Sequence, residues 1–243
     1  MSSVRGALPP SLLRSAKADV RARYVVNFRV DPAVARSILP VSWLEPQVIN
    51  GFAVLSFCPY VLEAVRLAVM PRALGIRSIC SAYRLAVIDH SGTEPRAAVW
   101  VPARETDART VANIGPGALR AGFERVAATI TPDPSGTSID FSRRSGERYF
   151  RARLEPARQP EGVLFADTEA FRTFFTAAAT SWAPSSVPGW LLQLDLDAGE
   201  TGYSPLSATA VEASGLPEGA TVDSAFLGLG GTYCWSCVGL RHG

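Results

Sequence analysis

The chain has 243 residues, 47% of them apolar and 19% charged, a balance that suits one folded domain and excludes a disordered chain. A formal net charge of +2 supplies no bulk attraction to polyanions, so nucleic acid is not an expected partner. Arg, Glu or Pro interrupts every apolar stretch well before the ~20 residues a membrane span needs, so no membrane partner is expected either.

Residues 1–20 read as a polar N-terminal arm, and 21–243 as a single domain. The arm carries Arg5, Arg14, Lys17 and Asp19 without the apolar run of a secretory signal. Four cysteines are too few for a disulfide scaffold, and a cytoplasmic location is the default expectation. Tyr24 to Val30 is rich in β-formers and reads as a strand. Asp31-Pro32 then opens a short helix, with Asp31 as cap and Pro32 at the first helical position. Residues 47–58 suit a strand with a turn or bulge near Asn50-Gly51. Val61 to Val69 is expected as a short helix ended by Pro71. Ile79 to Ile88 and Ala97 to Val101 are the arms of a hairpin turning at Asp89-His90-Ser91-Gly92. Two helical pieces, Asp107 to Ala112 and Gly117 to Glu124, are split by Pro116.

Three successive strands follow: Arg125 to Ile130, Thr137 to Ser142 and Arg148 to Leu154. Asp167 to Trp182 is the best helix of the second half, with Phe171, Phe174, Phe175 and Ala178 on one apolar face. Trp190 to Leu196 and Leu206 to Val211 are further strands, before an apolar, glycine-rich tail. Many strands in meander order with few short helices predict an α+β fold, mainly one antiparallel β-barrel or curled sheet.

Several residues carry chemistry on this reading. Cys234-Trp235-Ser236-Cys237 with His242 has the spacing of three zinc ligands, but cysteines of a strand or turn are the commoner outcome, and no metal is expected. Neither His90, in a turn, nor His242 has the setting of a catalytic base, and no phosphate-binding loop or nucleophile elbow is present. Arg84 and Arg66 lie inside apolar segments. A buried arginine must be paired or must bind an anion, because an isolated buried charge is costly. Arg84 is therefore a candidate carboxylate or oxyanion clamp, and Arg66 a candidate substrate contact. Glu63 and Glu105 are candidate general acids or bases, and Tyr60, Tyr83 and Trp100 candidate walls of an apolar cavity. The alternative for each is an ion pair or ordinary core packing.

Tyr24 to Pro32, Ile38-Leu39-Pro40 and Leu44-Glu45-Pro46 together resemble the opening of acetoacetate decarboxylase-like proteins. Phe57-Cys58-Pro59-Tyr60, Val65-Arg66, Pro71 and Ala82 to Val87 resemble an uncharacterised branch of that superfamily. The resemblance covers roughly residues 21–130 and implies a cone-shaped or closed antiparallel barrel with a central cavity. In the decarboxylase, a cavity lysine forms a Schiff base with a β-keto acid. The matching stretch here, Ser81 to Leu85, has no lysine. Lys17 is the one lysine of the chain, and it lies in the arm. Arg21 roughly matches a cavity arginine of the decarboxylase, with Arg23 competing for the place, and the family's cavity glutamate falls near Ser56.

Arginine cannot form the imine that serves as electron sink. Aimed at a carbonyl oxygen, it favours enolate formation. The expectation is a cofactor-free lyase, cyclase or isomerase acting on a keto-acid or polyketide-like substrate without a Schiff base. The alternative is a non-catalytic small-ligand-binding barrel. The sequence also leaves room for a homo-oligomer.

Overall fold

A computed structural model describes residues 14–199 and 201–242. Residues 1–13 of the expected arm lie outside the described residues. The sheet begins earlier than expected, because β1 (Ser15–Val30) takes up residues 15–20. Ala16, Ala18 and Val20 alternate there with Lys17 and Asp19, which is the period of a half-buried strand.

At Asp31 the chain turns into α1 (Pro32–Ser37), where Asp31 Oδ1 accepts from the Ala33 amide at 2.7 Å. The short strands β2 (Leu44–Pro46) and β3 (Val48–Ile49) follow. β3 turns back into β4 (Phe52–Phe57) through Asn50 and Gly51. Both turn residues have positive φ, 48° and 85°, as a tight hairpin requires.

The segment expected as a helix over 61–69 is a strand, β5 (Tyr60–Leu67). A bulge explains the misreading. Ala64 sits at φ 51° and the pairing slips between Leu62 and Val65, which breaks the alternation and leaves apolar residues at helix-like spacing. β6 (Ile76–Asp89) and β7 (Arg96–Trp100) form the expected hairpin, followed by β8 (Arg104–Thr106). The two helical pieces expected next are one helix, α2 (Arg109–Leu119), with Pro116 inside it. Burial of its last residue, Leu119, in a cluster with Leu192 and Leu194 offsets the bond that proline removes.

β9 (Glu124–Asp133), β10 (Gly136–Arg143) and β11 (Arg148–Pro156) are the expected meander. The helix expected to reach Trp182 ends sooner: α3 covers Thr168–Ala177, and β12 covers Thr180–Pro184. Long-range pairing overrides local propensity here. Thr180 to Trp182 lie parallel to Ala98 to Trp100, and Trp182 Nε1 donates to the buried Asp89 carboxylate at 2.9 Å. β13 (Trp190–Asp197), β14 (Gly202–Ala213), β15 (Thr221–Leu229) and β16 (Thr232–His242) complete the chain.

Among the described residues, all sixteen strands join one barrel-like sheet. Pairing is antiparallel except between β7 and β12 and between β8 and β9. The fold is thus α+β and mainly antiparallel, as the sequence predicts. The pairings close a ring in the order β6–β7–β12–β13–β16–β1–β5 and back to β6. β6 divides the interior. Tyr83, Leu85 and Val87 face the main core with Phe57, Phe141 and Phe150, while Ala86 joins a second cluster built around Phe171, Phe175 and Phe226. No helix among the described residues is long and apolar enough to cross a membrane.

Candidate functional site

Within that ring lies a cavity of about 240 Å³, capped by α2 and by the Arg72–Leu74 turn. Its wall is mostly apolar, with Leu62, Val65, Leu194, Leu196 and Trp235 prominent. The charged residues on it are Arg66, Arg84 and Arg104, and among the described residues no carboxylate, histidine or lysine lines it. Lys17 lies in β1 but is not part of the wall.

Strand alternation decides which predicted residues meet here. On β6, Cys80, Ala82 and Arg84 reach the cavity on one face, and Tyr83 reaches the main core on the other. Arg84 is 7% exposed, its Nη1 has no hydrogen-bond partner, and its guanidinium lies 4.7 Å from the centre of the Phe175 ring. Directly opposite it on β4 stands Ser56, which donates to Asn27 Oδ1 at 2.7 Å. A carboxylate at that position would face Arg84. The serine leaves the guanidinium uncompensated.

Of the other predicted contacts, Tyr60 and Arg66 line the cavity. Tyr83 and Trp100 instead pack with the main core. Arg66 has a carboxylate within reach, Asp19 Oδ1 at 4.0 Å, and its Nη1 also donates to the Ala64 carbonyl at 2.7 Å.

Arg21 and Arg23 are separated by one feature. The β1–β5 register steps from Val20 opposite Leu62 to Ala22 opposite Val61, so Arg21 is the extra residue of a bulge. Its side chain is 69% exposed and pairs with Glu63 at 3.2 Å, outside the cavity. Arg23, beyond the bulge, is the buried one. It is 2% exposed, and its guanidinium lies 4.8 Å from the Tyr60 ring centre and 4.2 Å from that of Phe175. Its Nη1 donates to the Tyr203 and Tyr233 hydroxyls, both at 3.4 Å, while Nε and Nη2 have no partner. Arg23 is thus the inward-facing one of the two, although neither it nor Arg21 is part of the cavity wall.

The two candidate carboxylates are not brought to Arg84. Glu63 bonds Arg21 and lies 3.8 Å from Arg77 at the surface. Glu105 is buried, but it stands opposite Ser81 on the core side of the sheet. There it accepts from Ser81 Oγ at 2.5 Å and from Tyr149 Oη at 2.6 Å, with Arg143 Nη1 at 3.5 Å. Burial and the neighbouring Glu105 charge push the Tyr149 phenol far up, so it remains a donor.

Sequence reasoning missed Arg104. It neighbours Glu105 on β8 and therefore faces the opposite way, into the cavity, donating to Ser181 Oγ at 3.3 Å. Burial and repulsion from Arg84 lower its pKa to about 10. The signal was the alternation Arg104-Glu105-Thr106, which puts Arg104 and Glu105 on opposite faces of any strand. Tyr60 is the cavity's phenol. Burial pushes its pKa up, while Arg23 and Arg84 pull it down, with the net direction upward. The arrangement is an apolar pocket whose inner wall presents unpaired cations, which is what an organic anion with an apolar body requires.

The cysteine motif is elsewhere. Cys234 and Cys237 are three residues apart in unbroken register with β13, so they point to opposite faces and cannot share an ion. Among the described residues, no group of three or more Cys, His, Asp or Glu side chains is placed to hold a metal.

Residues 17–193 match the model of DUF2071, described as an uncharacterized conserved protein. The chain belongs to this family. No curated protein matches it. Among solved structures, it is similar to an acetoacetate decarboxylase-like enzyme from Sphingomonas wittichii RW1, with 15% identity and a TM-score of 0.61 over 100% of this chain and 98% of that one. It is also similar to the enduracididine biosynthesis enzyme MppR complexed with pyruvate, with 14% identity and a TM-score of 0.61 over 98% and 93% of the two chains. The acetoacetate decarboxylase from Legionella pneumophila gives 11% identity and a TM-score of 0.64 over 93% and 88%. At these identities the likeness establishes the fold, which is that of acetoacetate decarboxylase-like proteins.

Proposed function

We propose that this DUF2071 protein is a small-molecule enzyme that holds an oxo acid in the cavity and stabilises its enolate with arginine, without a Schiff base. The observation that carries the reading is Arg84, buried on the cavity wall opposite a serine and lacking a carboxylate. A guanidinium in a low-dielectric pocket is worth most where negative charge develops, on an enolate oxygen. Tyr60, kept protonated by burial, is suited to give a proton to the enolate carbon. A lyase-type cleavage fits this wall best. The C–C bond next to the enolate carbon breaks, and its electron pair stays on the oxo acid as the enolate held by Arg84. The other fragment leaves as a carbonyl compound whose hydroxyl proton passes to solvent water. Tyr60 then protonates the enolate carbon and is reprotonated from water. Cyclase and isomerase reactions share the same intermediate. The MppR structure with pyruvate shows that a protein of this fold accepts a small oxo acid.

The test is turnover, followed by NMR, across β-keto and β-hydroxy acids with the wild type and Arg84→Gln. The expected result is one turned-over class whose kcat falls by about 100-fold or more in the variant, the scale of a lost oxyanion donor. A second reading, a ligand-binding barrel without chemistry, is favoured by the absence of Asp, Glu, His and Lys from the described wall. Tight binding with no turnover of any compound would select it and refute the enzyme.

A further inference from the structure

Arg84 and Arg104 sit on adjacent antiparallel strands. Arg104 pairs with Ala82, so Arg84 lies diagonally across the same cavity face, two residues along β6. Strand geometry puts the two α-carbons about 8 Å apart. Neither guanidinium has a carboxylate partner among the described residues, whereas Arg66 has Asp19 nearby and Arg23 lies behind Tyr60. A monocarboxylate would neutralise one of the pair and leave the other without a counter-ion on a largely apolar wall, which is the costlier state. A ligand that satisfies the wall therefore brings two negative groups to one end of the cavity. The rest of the wall, from Leu62 and Val65 to Leu194 and Leu196, is apolar, and Leu74 and Ile114 continue that surface outwards, 62% and 50% exposed.

We infer that the cavity is selective for an amphipathic dicarboxylate: two acid groups on a short bridge, one held by Arg84 and one by Arg104, with an alkyl chain lying along the apolar wall and leaving between α2 and the Arg72–Leu74 turn. This rests on the reading of the cavity as the ligand site. It adds that the substrate carries a second acid group, so the reaction acts on a substituted oxo-dicarboxylate, whose enolate oxygen forms next to the acid group on Arg84 and shares that guanidinium's several N–H donors.

The test uses hexanoate and butylmalonate, which differ by one carboxylate on the same chain. Titration calorimetry is run at pH 8 and constant ionic strength, with variants whose melting points lie well above the assay temperature. Butylmalonate should bind the wild type at least about tenfold more tightly, the worth of one charge-assisted pair. Arg104→Gln should remove that preference and leave hexanoate within about twofold of its wild-type affinity. Arg66→Gln, which removes the same charge from the cavity, should keep the preference. Equal affinity for the two acids would overturn the dicarboxylate inference and leave the cavity reading standing. Loss of the preference in Arg66→Gln as well would overturn it too, by showing a diffuse field effect. Binding of neither acid at millimolar concentration would overturn the cavity reading itself.

Discussion

Replacing Arg104 by Met should make the protein more stable while weakening its hold on anions. Burial and Arg84 hold the Arg104 pKa down at about 10, well below the ordinary guanidinium range. Each tenfold in acid strength corresponds to about 1.4 kcal/mol, so keeping this guanidinium charged costs the fold at most about 3.5 kcal/mol. For a base whose folded value is depressed, the cost is present in full below that value. It fades only as pH rises from about 10 towards the ordinary value, so at pH 7 all of it remains. Partial exposure of Arg104 reduces the figure, and methionine gives up the bond to Ser181. Ser181 keeps its own bond to the Leu194 carbonyl, so no buried donor is stranded. The net gain expected is about 1 kcal/mol, or about 2–4 °C in melting temperature for a domain of this size. The assay is thermal and urea denaturation at pH 7, with and without sulfate, which should raise the wild-type midpoint more than that of the variant. A midpoint lowered by more than about 1 kcal/mol would refute the reasoning, because it would mean that Arg104 is stabilised where it stands.

Three further outcomes are expected. Asp89 is buried and accepts from the Ser91 amide, Trp182 Nε1 and Arg96 Nε at 2.8–2.9 Å. Burial pushes its pKa up, but these donors outweigh it and hold the carboxyl below its ordinary range. Its contribution is therefore present above about pH 4 and lost as pH falls through the folded value. Asp89→Asn should cost about 2 kcal/mol at pH 7 in urea titrations, and the gap to wild type should narrow below pH 4. Gly75→Ala would put a methyl group 2.4 Å from the Ala64 backbone, so a loss of about 1–3 kcal/mol is expected; no loss would show that the bulge can shift freely. Glu105→Gln should lower stability by about 1–3 kcal/mol through its bonds to Ser81 and Tyr149, yet preserve anion affinity and turnover. Turnover lost at unchanged stability would instead place Glu105 in the reaction.

Most strands were legible because their signals are local. The β6–β7 hairpin and the β9–β10–β11 meander show alternation bounded by Asp, Gly, Pro and Ser turns, and the structure keeps them. The misread segments are those where a distant partner or a bulge overrides the local pattern. β5 was hidden by its bulge at Ala64, and β12 by the alanine run 177–179 just before it, which continues a helical pattern into residues that pair with β7. The candidate site was legible only in part. Arg84 and Arg66 stood out as charges within apolar runs and Tyr60 as a candidate wall, and all three line the cavity. Glu63 and Glu105, expected as acids or bases, and Tyr83 and Trp100, expected as walls, face other ways.

The sequence by itself determined the strand-rich α+β class and the confinement of lysine to position 17, which makes arginine the cation of every other basic position. Those properties depend on composition and on patterns a few residues long. Only the tertiary structure decided which arginines face inward. A single extra residue in β1 turns Arg21 out and Arg23 in, and the pairing of β8 with β6 sends Arg104 into the cavity and Glu105 to the opposite core. In a sheet with a side-chain period of two, one residue of register reverses every face, and register is fixed by partners far away in the chain.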